Sequence, residues 1–426
     1  MQKTVAILGG GIGGLSACFH LSKSPQVSKV VLLEGGSQYG GWLRSTRRQD
    51  GAVFEHGPRG VRPVGAVGKN TLNMVSELGL ESEILPVSNN HVASKNRFLY
   101  VKGQLHKMPS GLGGVVRTVP PFSRPILQNV LREVLVSKGK EEDESVHSFM
   151  SRRLGSELTD IAIDSLCRGV FAGDCKALSM RSCFPPLFNA ERARGSILLG
   201  MLLGSGGLHV PPSDLAKRSS KESWSQWSLK KGMQMLPEAL EEFLKIKKNV
   251  ELHKHASVKT LNPTGCGWEI KMEDGCIIAV DHVISALPAK SLASVLPPAA
   301  QPLSELLQGI SPVTVAVVNL EYEGAILPEM GFGHLVPSFE DRGLLGVVYD
   351  SVPFPQHNRP GGPTTRLTDC IPQYHLGHWK RLETMRKYIS DHNLLLTLAG
   401  ASFDGVSVND VIFSGRTAAE ALVGRV

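Results

Sequence analysis

The sequence is 426 residues long, with 42% hydrophobic and 20% charged residues and a formal charge of +7. That length suits two or three lobes rather than one core, and the composition excludes a disordered or collagen-like chain. Seven cysteines without a C-x-x-C pair or a His/Cys cluster argue against a disulfide framework or metal site, and 6% aromatics without a zinc-finger or RNA-binding motif argue against nucleic acid.

The chain begins with TVAILGGGIGGLSACFHLSK. Thr4 to Leu8 reads as a strand and LSACFHLSK as a helix, with Gly9-x-Gly11-x-x-Gly14 between them. One glycine makes the tight turn, one admits a pyrophosphate to the backbone, and one lets helix and strand pack closely. The helix N-terminus adds N–H groups and a positive dipole end. A second strand, KVVLLE, ends on Glu34, twenty residues after Gly14. Its carboxylate suits a ribose diol and repels a 2′-phosphate, so NADP is disfavoured. With the first strand starting at Thr4, no cleavable leader is expected ahead of it.

After Glu34 come GGSQYGGWLRS and GAVFEHGPRG. Paired glycines six residues past the acid, followed by a basic residue, resemble the extended dinucleotide fingerprint of the amine-oxidase and phytoene-desaturase flavoproteins. The resemblance implies non-covalent FAD held by Gly9, Gly10, Gly11, Ile12, Gly13, Gly14, Glu34, Gly35 and Trp42. It also implies a loop near the flavin ring at Gly57, Pro58, Arg59 and Gly60.

Residues 92–210 read as an inserted helical lobe. From Leu105 to Lys140 six basic residues accompany one acid, Glu133. Val115, Val116, Val119, Pro120, Pro121, Phe122, Ile126 and Leu127 mix with Arg117 and Arg124. That blend suits a lipid headgroup layer, where each basic residue contributes roughly 1 kcal/mol beside anionic lipid. A solvated helix with its apolar face on the core is the competing reading. The longest uncharged run, Gly195 to Ser213, is apolar only over Ile197 to Leu203, so no transmembrane helix is expected.

The stretch VELHKHASVKTLNPTGCGWEIKMEDGCIIAV alternates like a β-meander, with a turn at Asp274-Gly275, and Asp281 to Ala289 reads as a strand broken at proline. The superfamily resemblance puts the backbone of Val258 against the adenine end of FAD. The tail reads as a strand (Leu394 to Leu398), a glycine turn at Gly400 and a helix from about Asn409. There the resemblance implies that Ala401, Val406, Ser407 and Val408 close over FAD.

Five further phrases, RFLYVKGQLHKMPSG, ESVHSFMSRRLG, SLCRGVFAGDCKALSMRSCFPPLF, GFGHLVPS and CIPQYHLGHW, resemble the oxygen-dependent protoporphyrinogen oxidases of animal mitochondria, over residues 4–422. This implies an α/β fold with a Rossmann-like FAD-binding domain (1–91, 226–290 and 394–426). A helical membrane-associated insertion (92–210) and a mixed-sheet substrate domain (291–393, with flanking parts of 211–225) complete it. The implied activity is the penultimate step of heme biosynthesis: six-electron oxidation of protoporphyrinogen IX, with O2 as acceptor and hydrogen peroxide released. The implied setting is monotopic, on the intermembrane-space side of the mitochondrial inner membrane, as a homodimer. Arg97 matches the family's propionate-binding arginine, and Phe332, Gly333, Leu335 and Val348 match the slot over the flavin. His334 has no assigned role; strand alternation would place it on the same side as Phe332. Two alternatives stand beside this reading: a flavin amine oxidase, and a catalytically impaired variant that binds FAD or full-length subunits.

The pattern departs from the family before CIPQYHLGHW. Where the family carries a strand, a helix and a strand, on the order of fifty residues, Gly361 to Asp369 spans at most about 30 Å extended and has no room for a helix. The segment between Gly362 and Cys370 reads as an internal loss of splice type or a gene-model error. It is expected to leave an open sheet edge and exposed apolar surface.

Overall fold

Val5 to Leu8 are buried on both faces, as befits the centre of a parallel sheet. They end strand β1 (Lys3–Leu8), which the computed structural model pairs in parallel with β2 (Val27–Leu33) on one side and His282–Ser285 on the other. Val250–His253 extends the sheet beyond β2, and Leu396–Leu398 beyond His282–Ser285. The five strands thus draw on the beginning, middle and end of the chain. The structure describes residues 2–203, 209–322, 324, 326–359, 364–366 and 369–424.

Helix α1 (Ile12–Leu21) and the final helix, Val408–Val423, cover one face. They approach closely: Ser16 Oγ donates to the Ile412 carbonyl at 2.6 Å. The other face buries Leu8 and Val31 against Trp268, Leu292, Leu303, Leu382 and Met385. Helices Ala289–Val295, Gln301–Gln308 and His378–Asp391 therefore complete the dinucleotide sheet's core, although the sequence reading put 291–393 in the substrate lobe. The meander forms over Val258–Pro263, Trp268–Met272 and Ile277–Val280, but Val250–His253 leaves it to pair in parallel with β2.

A second, mixed sheet runs in the order Asn319–Glu321, Thr364–Arg366, Gly346–Val348, Gly333–Leu335, Phe98–Val101, Gln104–Lys107. Its last two strands fall within the range expected to be helical. Alternation explains them: Phe98 and Leu99 bury into different clusters on opposite faces. At the other edge Val318, Leu320 and Tyr322 lie exposed beside Asn319–Glu321. Gly362, one limit of the inferred loss, lies outside the described residues, as do 360–363 and 367–368. The backbones of Thr364–Arg366 and Asp369–Pro372 form short strands on either side of the latter.

Helices dominate from Gly111 to Lys221. Their core is Val146, Phe149, Cys167, Phe171, Leu178 and Phe188. At its edge sits a buried ion-pair network: Arg153 donates to Glu191 at 2.8 Å and to Glu133 at 3.1 Å. Glu133 also accepts from Ser196 Oγ at 2.6 Å and from the Ile197 N–H at 2.7 Å. One fully buried guanidinium thereby ties helix Ile126–Leu135 to Val146–Leu154 and to the start of Ile197–Leu203. Among the described residues no helix is long and apolar enough to cross a membrane.

Candidate functional site

The glycine turn connects β1 to α1 as its spacing requires. A Cβ on Gly14 would stand 1.9 Å from the Gly9 carbonyl oxygen, so only glycine lets α1 sit this close to the turn. At Gly11, by contrast, a Cβ would meet nothing within 4 Å; the space over the turn is open. Glu34, at the end of β2, is fixed by two backbone donors, Gly10 N–H and Gly36 N–H, each at 2.7 Å. The Ala256 N–H donates to the Glu34 carbonyl at 2.8 Å, which sets Ser257 beside Gly35, with Val258 next in the chain.

The groove continues through close backbone contacts. Gly40 N–H donates to the Gly10 carbonyl at 2.8 Å. A Cβ on Gly57 would lie 2.0 Å from the Trp42 carbonyl oxygen, so the 57–60 loop packs directly on the 40–42 turn. The Trp42 side chain is 48% exposed. From the other side, Gly400 and Val411 approach Gly13. Ser407 caps the final helix in a capping box with Asp410, Val408 is buried beneath it, and Val406 packs on the helical lobe. Ala401 accepts a hydrogen bond from Tyr374.

This arrangement fits an elongated dinucleotide. The open cradle at Gly11 and the first-turn N–H groups of α1 suit a pyrophosphate, and the fixed Glu34 carboxylate suits a ribose.

A cavity of about 910 Å³ opens beyond Gly57–Gly60. Arg97, Phe332, Gly333, Leu335 and Val348 all line it. Leu99, Met108, Leu158 and Leu166 supply apolar wall, and Arg59, Arg62 and Arg342 add charge, while among the described residues no Asp or Glu contributes to the lining. Arg59 is engaged with Asp350 at 3.0 Å. Arg97 sits 5.9 Å from the Phe332 ring. Burial, and then the neighbouring Arg62, lower its pKa from the usual value. A guanidinium stays protonated nonetheless, so this end of the cavity favours an anion.

His334 also lines this cavity, alongside Phe332. Between them Gly333 adopts φ +144°, and a Cβ there would fall 2.1 Å from the Val347 carbonyl oxygen. The His334 Nδ1 meets Tyr349 Oη at 2.8 Å, and the ring lies 6.1 Å from that of Tyr100. Burial lowers its pKa.

Glu55, unremarked in the sequence, is buried near Arg59 and Asp350. Burial pushes its carboxyl up to about 7 and Asp350 adds to this, while Met233 N–H and Ser45 Oγ, both at 2.7 Å, pull the other way. A carboxyl raised on folding stabilises the native state below its unfolded value of 4.5, and this contribution is lost as pH rises through about 7. Thermal melting should show wild type losing stability from pH 5 to 8 relative to Glu55→Gln; parallel pH profiles for the two proteins would refute the assignment.

Residues 12–368 match the family model described as flavin containing amine oxidoreductase. The chain is 48% identical to the protoporphyrinogen oxidase of Homo sapiens, covering 100% of this chain and 99% of that protein. It is 26% identical to the coproporphyrinogen III oxidase of Bacillus subtilis, covering 98% and 97%. The human alignment runs over 475 positions against 426 residues, so 49 positions find no residue here. Among solved structures, an Exiguobacterium protein provisionally assigned as a protoporphyrinogen oxidase superposes with a TM-score of 0.76 at 22% identity, covering 99% of each chain. A putrescine oxidase variant gives 0.64 at 15%, again covering 99% of each. These two likenesses bear on the fold alone.

Proposed function

The chain belongs to the flavin-containing amine oxidoreductases, among the protoporphyrinogen oxidases, and from that premise we propose that it oxidises protoporphyrinogen IX to protoporphyrin IX in heme biosynthesis. One observation carries the reading: a cavity with apolar walls, a cationic end and, among the described residues, no lining carboxylate, bounded on one side by the 57–60 loop. It suits a large apolar macrocycle with two propionates and repels an ammonium, which disfavours an amine substrate.

FAD, bound non-covalently in the groove, would supply hydride acceptance, with O2 as the final acceptor and hydrogen peroxide released. The chain's own residues bind and orient. Arg97, assisted by Arg62, pairs with a propionate. Phe332, Leu335 and Val348 hold the ring system, and Gly333 lets the backbone close against it. Arg59, steadied by Asp350, shapes the flavin side. Purified FAD-loaded protein should turn protoporphyrinogen IX into fluorescent porphyrin with peroxide release and leave putrescine untouched; amine turnover without porphyrin formation would overturn the reading.

Arg97→Gln should raise KM for protoporphyrinogen IX by about ten- to 150-fold, the worth of a charge-assisted hydrogen bond of about 1.5–3 kcal/mol, with a smaller change in kcat. An unchanged KM would remove Arg97 from the propionate site.

We further propose one-sided association with the mitochondrial inner membrane, on its intermembrane-space side, as a homodimer. Leu135 is 87% and Leu202 73% exposed, with Leu131, Met201 and Leu203 beside them. Helices Ile126–Leu135 and Ile197–Leu203 pack together, and the first carries Arg132 in its last turn. Within the stretch first read as the headgroup surface, Phe122 is buried and Val116 exposed, so the stronger apolar cluster is the later one.

A further inference from the structure

Tyr374 follows strand Asp369–Pro372 and is only 2% exposed. Its hydroxyl makes two hydrogen bonds to one loop. It donates to the Ala401 carbonyl at 2.5 Å and accepts from the Gly405 N–H at 2.9 Å. The ring stacks on His378 with centroids 4.0 Å apart and planes 12° apart, and His378 Nε2 lies 3.2 Å from the Phe403 carbonyl. On its other side the Tyr374 carbonyl accepts from Ser179 N–H of the helical lobe at 2.8 Å. The residue is thus anchored to the lobe and grips the loop at both ends.

We propose that Tyr374 is a positioning residue for the flavin: its hydroxyl fixes the span from Ala401 to Gly405 and so sets where Val406, Ser407 and Val408 meet the groove. The inference rests on reading the Ala401–Val408 loop as part of the flavin site. No helix or strand supports residues 399–407, so side-chain hydrogen bonds carry more of their order. Both hydrogen-bonding functions of the phenol are used, which a phenylalanine cannot replace. Burial raises the Tyr374 pKa further above its usual range, so the hydroxyl remains a donor at any physiological pH.

The test is Tyr374→Phe in the full chain, which keeps the ring stack and removes only the hydroxyl. Each net hydrogen bond is worth roughly fivefold in an equilibrium, so exchange of the Gly405 amide should speed about fivefold with or without FAD. The FAD Kd, followed by flavin fluorescence, should rise about five- to thirtyfold, with a shifted visible flavin band, while KM for protoporphyrinogen IX stays within about twofold. Tyr388→Phe, which removes an exposed hydroxyl from the Ala299 carbonyl, should change none of these. Unchanged Gly405 exchange would show that there is no clamp. Faster exchange with unchanged FAD Kd would show a clamp that does not position flavin, and an equal loss from Tyr388→Phe would reduce the effect to general stability; each result overturns the proposal. Wild-type protein that binds no FAD would instead defeat the flavin reading of the loop, and the proposal with it.

Discussion

Gly14→Ala should yield protein that retains little flavin. The added methyl would lie 1.9 Å from the Gly9 carbonyl oxygen, well inside van der Waals contact, and the obstacle is backbone that cannot rotate aside. Relief requires α1 to move from the turn. That helix is bound to the final helix through Ser16 and Ile412, and Gly13 lies against Gly400 and Val411. A shift of α1 therefore disturbs the pyrophosphate cradle and the returning tail together. Overpacking of this kind costs about 1–3 kcal/mol, equivalent to about five- to 150-fold in flavin affinity. The check is the ratio of flavin to protein after gel filtration beside Gly11→Ala, whose methyl meets no protein atom but enters the open space. If Gly14→Ala retained as much flavin as wild type, the turn would not be the cofactor's cradle.

Arg153→Met should destabilise the helical lobe by about 3–5 kcal/mol, the usual cost of removing one partner from a buried ion pair. Glu133 would be left buried without this cation, Glu191 would retain Arg152 at 2.7 Å, and Glu133 also organises the start of Ile197–Leu203. Helices Ile126–Leu135 and Ile197–Leu203 would separate, dispersing the exposed leucine cluster. Urea unfolding should show a lower midpoint, and binding to vesicles containing anionic lipid should fall with it. The double variant Arg153→Met, Glu133→Gln should recover part of the stability, since it removes the charge left unpaired, keeps an oxygen to accept from Ser196 and Ile197, and leaves Glu191 with Arg152. An Arg153→Met protein with an unaltered midpoint would show that the network carries no net stability.

The parts of this molecule legible in sequence are those specified by neighbours along the chain. The β1–α1 turn is read from glycine spacing, Glu34 from its place at the end of an apolar run, and the final helix from its periodicity. The sheet edges were less legible. Phe98–Val101 lies in a stretch otherwise rich in helix, and its partner strand, Gly333–Leu335, is more than two hundred residues away. Val250–His253 alternates like its meander neighbours, yet pairing with β2 decides its sheet. The φ of +144° at Gly333 is a freedom that the letter G permits without specifying. Glu55, Asp350 and Tyr374 act across distances of 27 to 295 residues, through Ala401, Arg59 and Asp350, with no local pattern to mark them. The exposed face of Ile126–Leu135 follows helical periodicity, which shows amphipathicity but not what covers the apolar side.

The most direct test is to mix FAD-loaded protein with protoporphyrinogen IX in the absence of oxygen and follow the visible flavin band. The account predicts rapid bleaching in a single turnover, with colour and peroxide returning when air is admitted. A band that stays unchanged at saturating porphyrinogen, in protein that demonstrably holds FAD, would contradict it.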